Sequence, residues 1–253
     1  MRQYDDHVLY HEVLPHVNLQ PFIYCYWQLC TTRPLDHAYT YRVVADGCID
    51  IFFNAANPVE NFVMGFCKKY TLFPLDNIFN YVGIRFLPTM FTQLFKIDAS
   101  TLSDRFEQLN NVLPDVSSFI AQRLQGALLL QDVAPHLDDC FNTTLHKAAF
   151  DADVRLYRAI EAIIKAAGVM PITHLDTGVS ARQLRRLFDF YVGDTPKVFS
   201  QVVRFQNILK AKPSVQSLKQ NALFHYESYY DQAHFIKAFK TFYGVTPAKA
   251  FGR

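Results

Sequence analysis

The chain repeats itself at an offset of 51 residues, and this repeat constrains its fold more than any other feature. LRRLFDFYVGDTP (Leu184 to Pro196) aligns with FIKAFKTFYGVTP (Phe235 to Pro247), so that Phe188 matches Phe239, Gly193 matches Gly244, and Thr195-Pro196 matches Thr246-Pro247. Leu184, Leu187, Phe188 and Tyr191 fall at i, i+3, i+4 and i+7, which is the apolar stripe of a helix packed on one side. Phe235, Ala238, Phe239 and Phe242 do the same. In each copy the glycine supplies the left-handed residue that ends a helix. Thr-Pro then starts another, with Thr as N-cap and Pro in the first turn. Two copies are too few to stack as a solenoid, so the pattern predicts a duplicated small helical unit.

The first copy has a defined start. Ser180 followed by Gln183 fits a capping box. Gly178, two residues earlier, fits a tight turn from a preceding helix, whose own first turn would begin near Pro171. Helix, glycine turn and capped helix make a helix-turn-helix layout. The face opposite the apolar stripe carries Arg182, Arg185 and Arg186, with Ala181 and Gln183 near the start. Arginine offers a planar fork to guanine or phosphate and glutamine can address adenine. An arginine-rich face is also what any solvated helix presents, but the turn and the second copy favour nucleic acid. In the second copy the equivalent helix begins near Asp231 and turns Gln232, His234 and Lys237 outward. His234 has no ligand-spaced partners that would suggest a metal.

GVSARQLRRLFDFYVGDTPKVFSQVVRFQNIL followed by YYDQAHFIKAFKTFYGVTPAKAF resembles the DNA-binding domain of AraC/XylS-type transcription regulators over roughly residues 151–253. The resemblance implies two helix-turn-helix units joined by a central helix, here about Thr195–Lys210. It implies double-stranded DNA as the partner. Carried over by position, Ser180, Ala181, Arg182, Arg185 and Arg186 form the first recognition surface, and Gln232, Ala233, His234 and Lys237 the second. Two positions depart from the family pattern. Phe224 stands where the second unit usually has Ala in its first helix, and Ser228 where it usually has the turn Gly.

The first half has a different texture. Residues 7–95 hold short Tyr-, Phe-, Val- and Ile-rich runs. YRVVADGCIDIFFN reads as two strands joined by a hairpin turn at Asp46-Gly47, and NFVMGF and NYVGIRF read as further strands. After Asp98 the period lengthens. Leu102, Phe106 and Leu109 share a helical face, and Pro114-Asp115 reads as a helix start. The fold class is therefore α+β: a β-rich domain over 1–95, a helical connector over 96–150, and an all-α domain over 151–253. The segments YRVVADGCIDIFFN and NYVGIRFLPTMFTQLFKIDASTLSDRFEQL are similar to the N-terminal region of one AraC-type subgroup. That similarity implies a cupin-like barrel that senses a small-molecule effector or mediates homodimerisation. For an activator, the family relation adds RNA polymerase as a partner. Tyr24, Tyr26, Trp27, Tyr39, Tyr41 and Phe53 either line a pocket in such a barrel or fill it; filling is the reading favoured here.

Charge separates the halves. Residues 1–150 hold 10 Lys+Arg against 15 Asp+Glu, and residues 151–253 hold 15 against 8. A basic second half suits a polyanion. Enzymatic chemistry finds no support. His7, His11, His16 and His37 are scattered, Cys48 and Asp50 alternate with Ile49 and Ile51 along a strand, and no phosphate loop, nucleophile elbow or zinc-protease motif occurs. No cofactor or metal is expected. The N-terminal MRQYDDHVLY lacks a cationic lead into an apolar run, and no apolar run reaches membrane-spanning length. With five cysteines and no Cys-x-x-Cys, free thiols in a reducing cytoplasm, at the nucleoid, are expected. The sequence thus points to a sequence-specific transcription regulator biased through its N-terminal domain. The alternative is a sensing or interaction protein whose second unit no longer binds DNA.

Overall fold

The computed structural model describes residues 6–150, 153–172, 175, 177–211 and 229–251. Its strands are β1 (Val8–Val13), β2 (Ile23–Thr31), β3 (Tyr39–Val43), β4 (Ile49–Asn54), β5 (Asn57–Met64), β6 (Thr71–Leu75), β7 (Asn80–Phe86) and β8 (Phe106–Gln108). The helices are α1 (Met90–Phe95), α2 (Leu109–Val112), α3 (Pro114–Arg123), α4 (Leu130–Lys147), α5 (Val154–Lys165), α6 (Ala181–Val192), α7 (Pro196–Ala211), α8 (Gln232–Tyr243) and α9 (Pro247–Phe251), with a 3-10 turn at Ala99–Leu102. No described helix is long and apolar enough to cross a membrane.

Six strands form an antiparallel sheet in the order β1-β2-β7-β4-β5-β8, and β3 pairs with β6 as a separate ribbon. Period-two alternation gives the sheet two apolar faces. Ile49, Ile51 and Phe53 of β4 and Val82, Ile84 and Phe86 of β7 pack with Ile120 of α3 and Val133, Leu137 and Phe141 of α4. Asp50, Phe52, Tyr81 and Arg85 point the other way, toward the ribbon. A register shift between Ile23 and Cys25 turns β2 over. Ile23 therefore joins the helix-side core, while Cys25, Trp27 and Leu29 belong to the ribbon side. Sheet and ribbon together make a barrel-like, cupin-like enclosure.

Two expectations are corrected. The runs flanking Asp46-Gly47 are strands, but they do not form a hairpin: β3 pairs with β6, and β4 with β5 and β7. The intervening turn is held by other partners. Asp46 Oδ1 accepts from the Cys48 amide at 3.0 Å, and Asp46 Oδ2 lies 3.2 Å from Arg85. The Ala45 amide donates to the Phe242 carbonyl, and the Gln206 side chain to the Ala45 carbonyl. Second, Phe106 is not helical. It lies in β8, which extends the sheet beside β5, and the following helices α3 and α4 share the sheet's own core. Helical spacing at Leu102, Phe106 and Leu109 was fortuitous because a 3-10 turn, a strand and a helix follow one another there.

The second half builds its own core from α5 to α9, centred on Leu156, Ile163, Phe188, Phe199, Phe205 and Phe239. Arg204 and Ser200 of α7 converge on one acceptor, the Gly168 carbonyl: Ser200 Oγ at 2.9 Å, Arg204 Nε at 3.1 Å and Nη2 at 2.7 Å. This ties the central helix to the turn that ends α5. Gly168 is needed there, since φ is +72° and a Cβ would come within 2.2 Å of the Ser200 carbonyl oxygen. Ala45 and Phe66, from two loops of the first half, are buried inside this same core.

Candidate nucleic-acid interface

Helix α6, the expected first recognition helix, forms as its sequence dictates. Ser180 is extended (φ −62°, ψ 152°) and its side chain accepts from the Gln183 amide at 3.2 Å. Leu184, Phe188 and Val192 are buried, whereas Leu187 and Tyr191 are half-buried at the margin of the stripe. Gly193 ends the helix at φ +105°, its amide donating to the carbonyls of Phe188 and Asp189. Ser180, Ala181, Arg182, Gln183, Arg185 and Arg186 are all exposed, so three guanidinium groups stand on the solvent face within the first two turns. An open groove runs beside this face, lined by Ser180, Arg182, Gln183 and Arg186 and, from the first half, by Asp98.

Helix α8, the expected second recognition helix, repeats the construction. Asp231 Oδ1 accepts from the His234 amide at 2.7 Å, and Gly244 closes the helix at φ +94°. Phe235, Phe239 and Phe242 are buried. Gln232, Ala233, His234 and Lys237 are exposed. His234 also stands edge-on to Tyr229 at 5.5 Å, and Tyr229 in turn lies under the Arg204 guanidinium at 5.2 Å. The central helix begins at Pro196, where Thr195 Oγ1 accepts from Val198; Thr246 Oγ1 likewise accepts from Lys249 at the start of α9. Phe224 and Ser228, the two departures from the family pattern, lie outside the described residues.

The far end of α6 is docked on the first half. The Ser103 hydroxyl donates to the Gly193 carbonyl, and Thr92 Oγ1 to the Phe190 carbonyl at 3.5 Å. Lys68 Nζ lies 2.9 Å from Asp194, which is 7% exposed. Elsewhere on the interface the Arg42 guanidinium sits over the Tyr243 ring, and the Tyr70 amide donates to the Thr241 carbonyl. Helices α6 and α8 are thus both gripped at their C-terminal ends, while the side chains at their N-terminal ends are exposed.

The first half encloses a cavity of about 510 Å³ between sheet and ribbon. Filling was expected; the ribbon instead stands off the sheet and leaves this space. Of the aromatic residues singled out from sequence, Trp27 and Tyr41 line it. Tyr26 and Phe53 are in the helix-side core, Tyr39 packs against Phe79, and Tyr24 is exposed. Tyr10, Phe52, Phe62, Phe73, Tyr81 and Phe106 complete the wall. Its charged residues, Asp50 and Arg85, are bound to each other: Arg85 Nε lies 3.1 Å from Oδ1 and Nη2 2.9 Å from Oδ2 of Asp50, and Trp27 Nε1 also donates to Oδ2 at 3.1 Å. Choosing Phe52 over Phe53 needed only the alternation set by Asp50; Arg85 and Phe106 needed the strand pairing, which no local signal carries.

Among the described residues no group of three or more His, Cys, Asp or Glu side chains could hold a metal ion. All five cysteines are free thiols. Burial pushes Cys25 and Cys67 up to about 12, and Cys48 well above its usual value, the opposite of an activated nucleophile.

Residues 176–253 match the family described as a helix-turn-helix domain, and residues 11–108 match a domain of unknown function, DUF6597. The C-terminal part of the chain is a DNA-binding domain of the helix-turn-helix class. It is of the AraC type. No curated protein matches the chain. Among solved structures, ToxT from Vibrio cholerae O395 is similar at a TM-score of 0.46 and 11% identity, covering 86% of this chain and 94% of that one. ToxT from the same strain bound to (E)-4-(8-methylnaphthalen-1-yl)but-3-enoic acid gives 0.45 and 10%, covering 86% and 96%. Wild-type ToxT of strain SCE256 with unsaturated fatty acid bound gives 0.41 and 9%, covering 99% and 97%.

Proposed function

We propose that the chain is a sequence-specific DNA-binding transcription regulator of the cytoplasm, and not an enzyme. The observation that carries this reading is the face of α6: a capped helix with Arg182, Arg185 and Arg186 exposed at its free N-terminal end, the end that reaches base edges in helix-turn-helix domains. Helix α8 would enter the next major-groove segment, roughly 34 Å along the duplex, with Gln232, Ala233, His234 and Lys237. Phosphate contacts would supply most of the affinity and these side chains the sequence choice. The first half would bias DNA binding through the interface that grips the far ends of both helices, in response to a small molecule in the barrel cavity or to a second copy of the chain.

Selection of bound duplexes from a random pool, at stated salt, tests the reading. A recovered site with two adjacent half-elements is expected; no enrichment by the full chain would overturn it. Among the four residues of α8 expected to face DNA there is one lysine, Lys237, beside His234, and this smaller cation count favours a second reading, in which only the first unit contacts DNA. A single half-element would select that reading.

A further inference from the structure

The barrel cavity deepens the proposed function, on which this inference rests: its chemistry selects the class of effector. Eight aromatic side chains line it, and Phe52, Phe62, Phe73 and Phe106 form one continuous cluster, with ring centroids 4.6–6.1 Å apart. Among the described residues, the charged ones on the wall are Asp50 and Arg85. Both oxygens of Asp50 are taken up, by Arg85 and by the Trp27 indole N–H. Arg85 is held by a second carboxylate as well, Asp46 at 3.2 Å. Two carboxylates around one guanidinium leave the cluster with excess negative charge. That excess lies with Asp46, which faces the neighbouring cleft rather than the cavity.

An anionic ligand would therefore lose its hydration and meet a guanidinium whose single positive charge is already countered by two carboxylates. A cationic head would find the one carboxylate on the wall fully engaged. A flat apolar molecule meets rings on most sides, in a volume that suits a small organic ligand. We infer that the cavity binds an uncharged, largely aromatic small molecule and discriminates against carboxylates through the Asp50–Arg85 pair.

Trp27 is the chain's one tryptophan and stands on the cavity wall, so its emission reports occupancy in the full-length protein. Three probes of one shape separate the cases: biphenyl-4-methanol, biphenyl-4-carboxylate and 4-phenylbenzylammonium. The neutral alcohol should bind tightest, by about tenfold or more over either ion. Asp50→Asn keeps the shape and an acceptor for Trp27 but removes one of the two carboxylates around Arg85, leaving Asp46 as its counter-charge, and should narrow the preference over the carboxylate by about tenfold. Tightest binding of the carboxylate or the ammonium by the unmodified protein would overturn the inference, as would titration of all three without change in emission. The wild-type ranking stands as a test even if Asp50→Asn does not fold. DNA selection, run separately, reports on the regulator reading: enriched DNA with the wrong probe ranking sinks only the effector class.

Discussion

The indole of Trp27 lies on Gly83: a Cβ at position 83 would come within 2.2 Å of two ring carbons, and the two residues are directly paired between β2 and β7. The glycine lets the ring lie flat on the sheet and donate to Asp50. Gly83→Ala should therefore lift the indole into the cavity and break that bond. We expect a loss of about 1–3 kcal/mol in stability, read by urea denaturation, and a red-shifted tryptophan emission. An unshifted spectrum at wild-type stability would show that the sheet yields instead.

On DNA, the two recognition helices should contribute unequally. Replacing Arg182, Arg185 and Arg186 together with alanine should nearly abolish specific binding, whereas the triple change at Gln232, His234 and Lys237 should weaken it moderately. Arg186→Ala alone should cost about 1–3 kcal/mol and relax one base position. Arg155→Ala is the control, because Arg155 is occupied by Asp153 at the start of α5, at 2.8 Å. Anisotropy titrations at several salt concentrations decide the matter; equal losses from both triples would make the units equivalent.

Stability should depend on pH through Asp46. Burial first, and the neighbouring Asp50 against the pull of Arg85, raise its carboxyl from 3.8 to about 6. A carboxyl raised in the folded state holds its proton more tightly there than in the unfolded chain. Its contribution therefore favours folding below about pH 4 and is lost as pH rises from about 4 to about 6. Asp46→Asn should flatten that part of the profile. Urea midpoints at about pH 7 and about pH 4.5, compared between wild type and variant, test this; identical differences would place the titration elsewhere.

Phe66 should matter to helices far downstream in the chain. It is fully buried in the core formed by α5 to α9. Phe66→Ala should cost about 3–5 kcal/mol, and the loss should appear in the helical signal of the second half. Hydrogen exchange resolved by segment would show accelerated exchange in α6 and α7. Acceleration confined to residues near Phe66 would contradict this.

The second half was legible because its information is local. The capping residues Ser180 and Asp231, the stripes of Phe188 and Phe239, and the terminal glycines 193 and 244 each act within one helical turn, and the structure uses each as read. The first half was legible only as strands. Asp46-Gly47 has the chemistry of a hairpin turn, and Gly47 does adopt φ +80°, but its positive φ serves a crossing between sheets. Which strands pair decides whether Phe52 faces a cavity and whether Arg85 meets Asp50, and pairing is settled by contacts distant in the chain. Phe106 is the clearest case: three residues of strand contribute to a sheet, and helical spacing around them carries no weight.

Ala45 and Phe66 come from loops well upstream of the DNA-binding domain, on the far side of the whole helical connector, yet they complete its interior. A cut in sequence near residue 150 therefore leaves a hole in the part that is kept. Chimeras that graft this C-terminal domain onto another sensor will inherit that hole unless the donor sensor brings matching wedges. The two loops form a keyed joint, so which sensor can be spliced to which DNA reader is decided at these two side chains as well as at the linker.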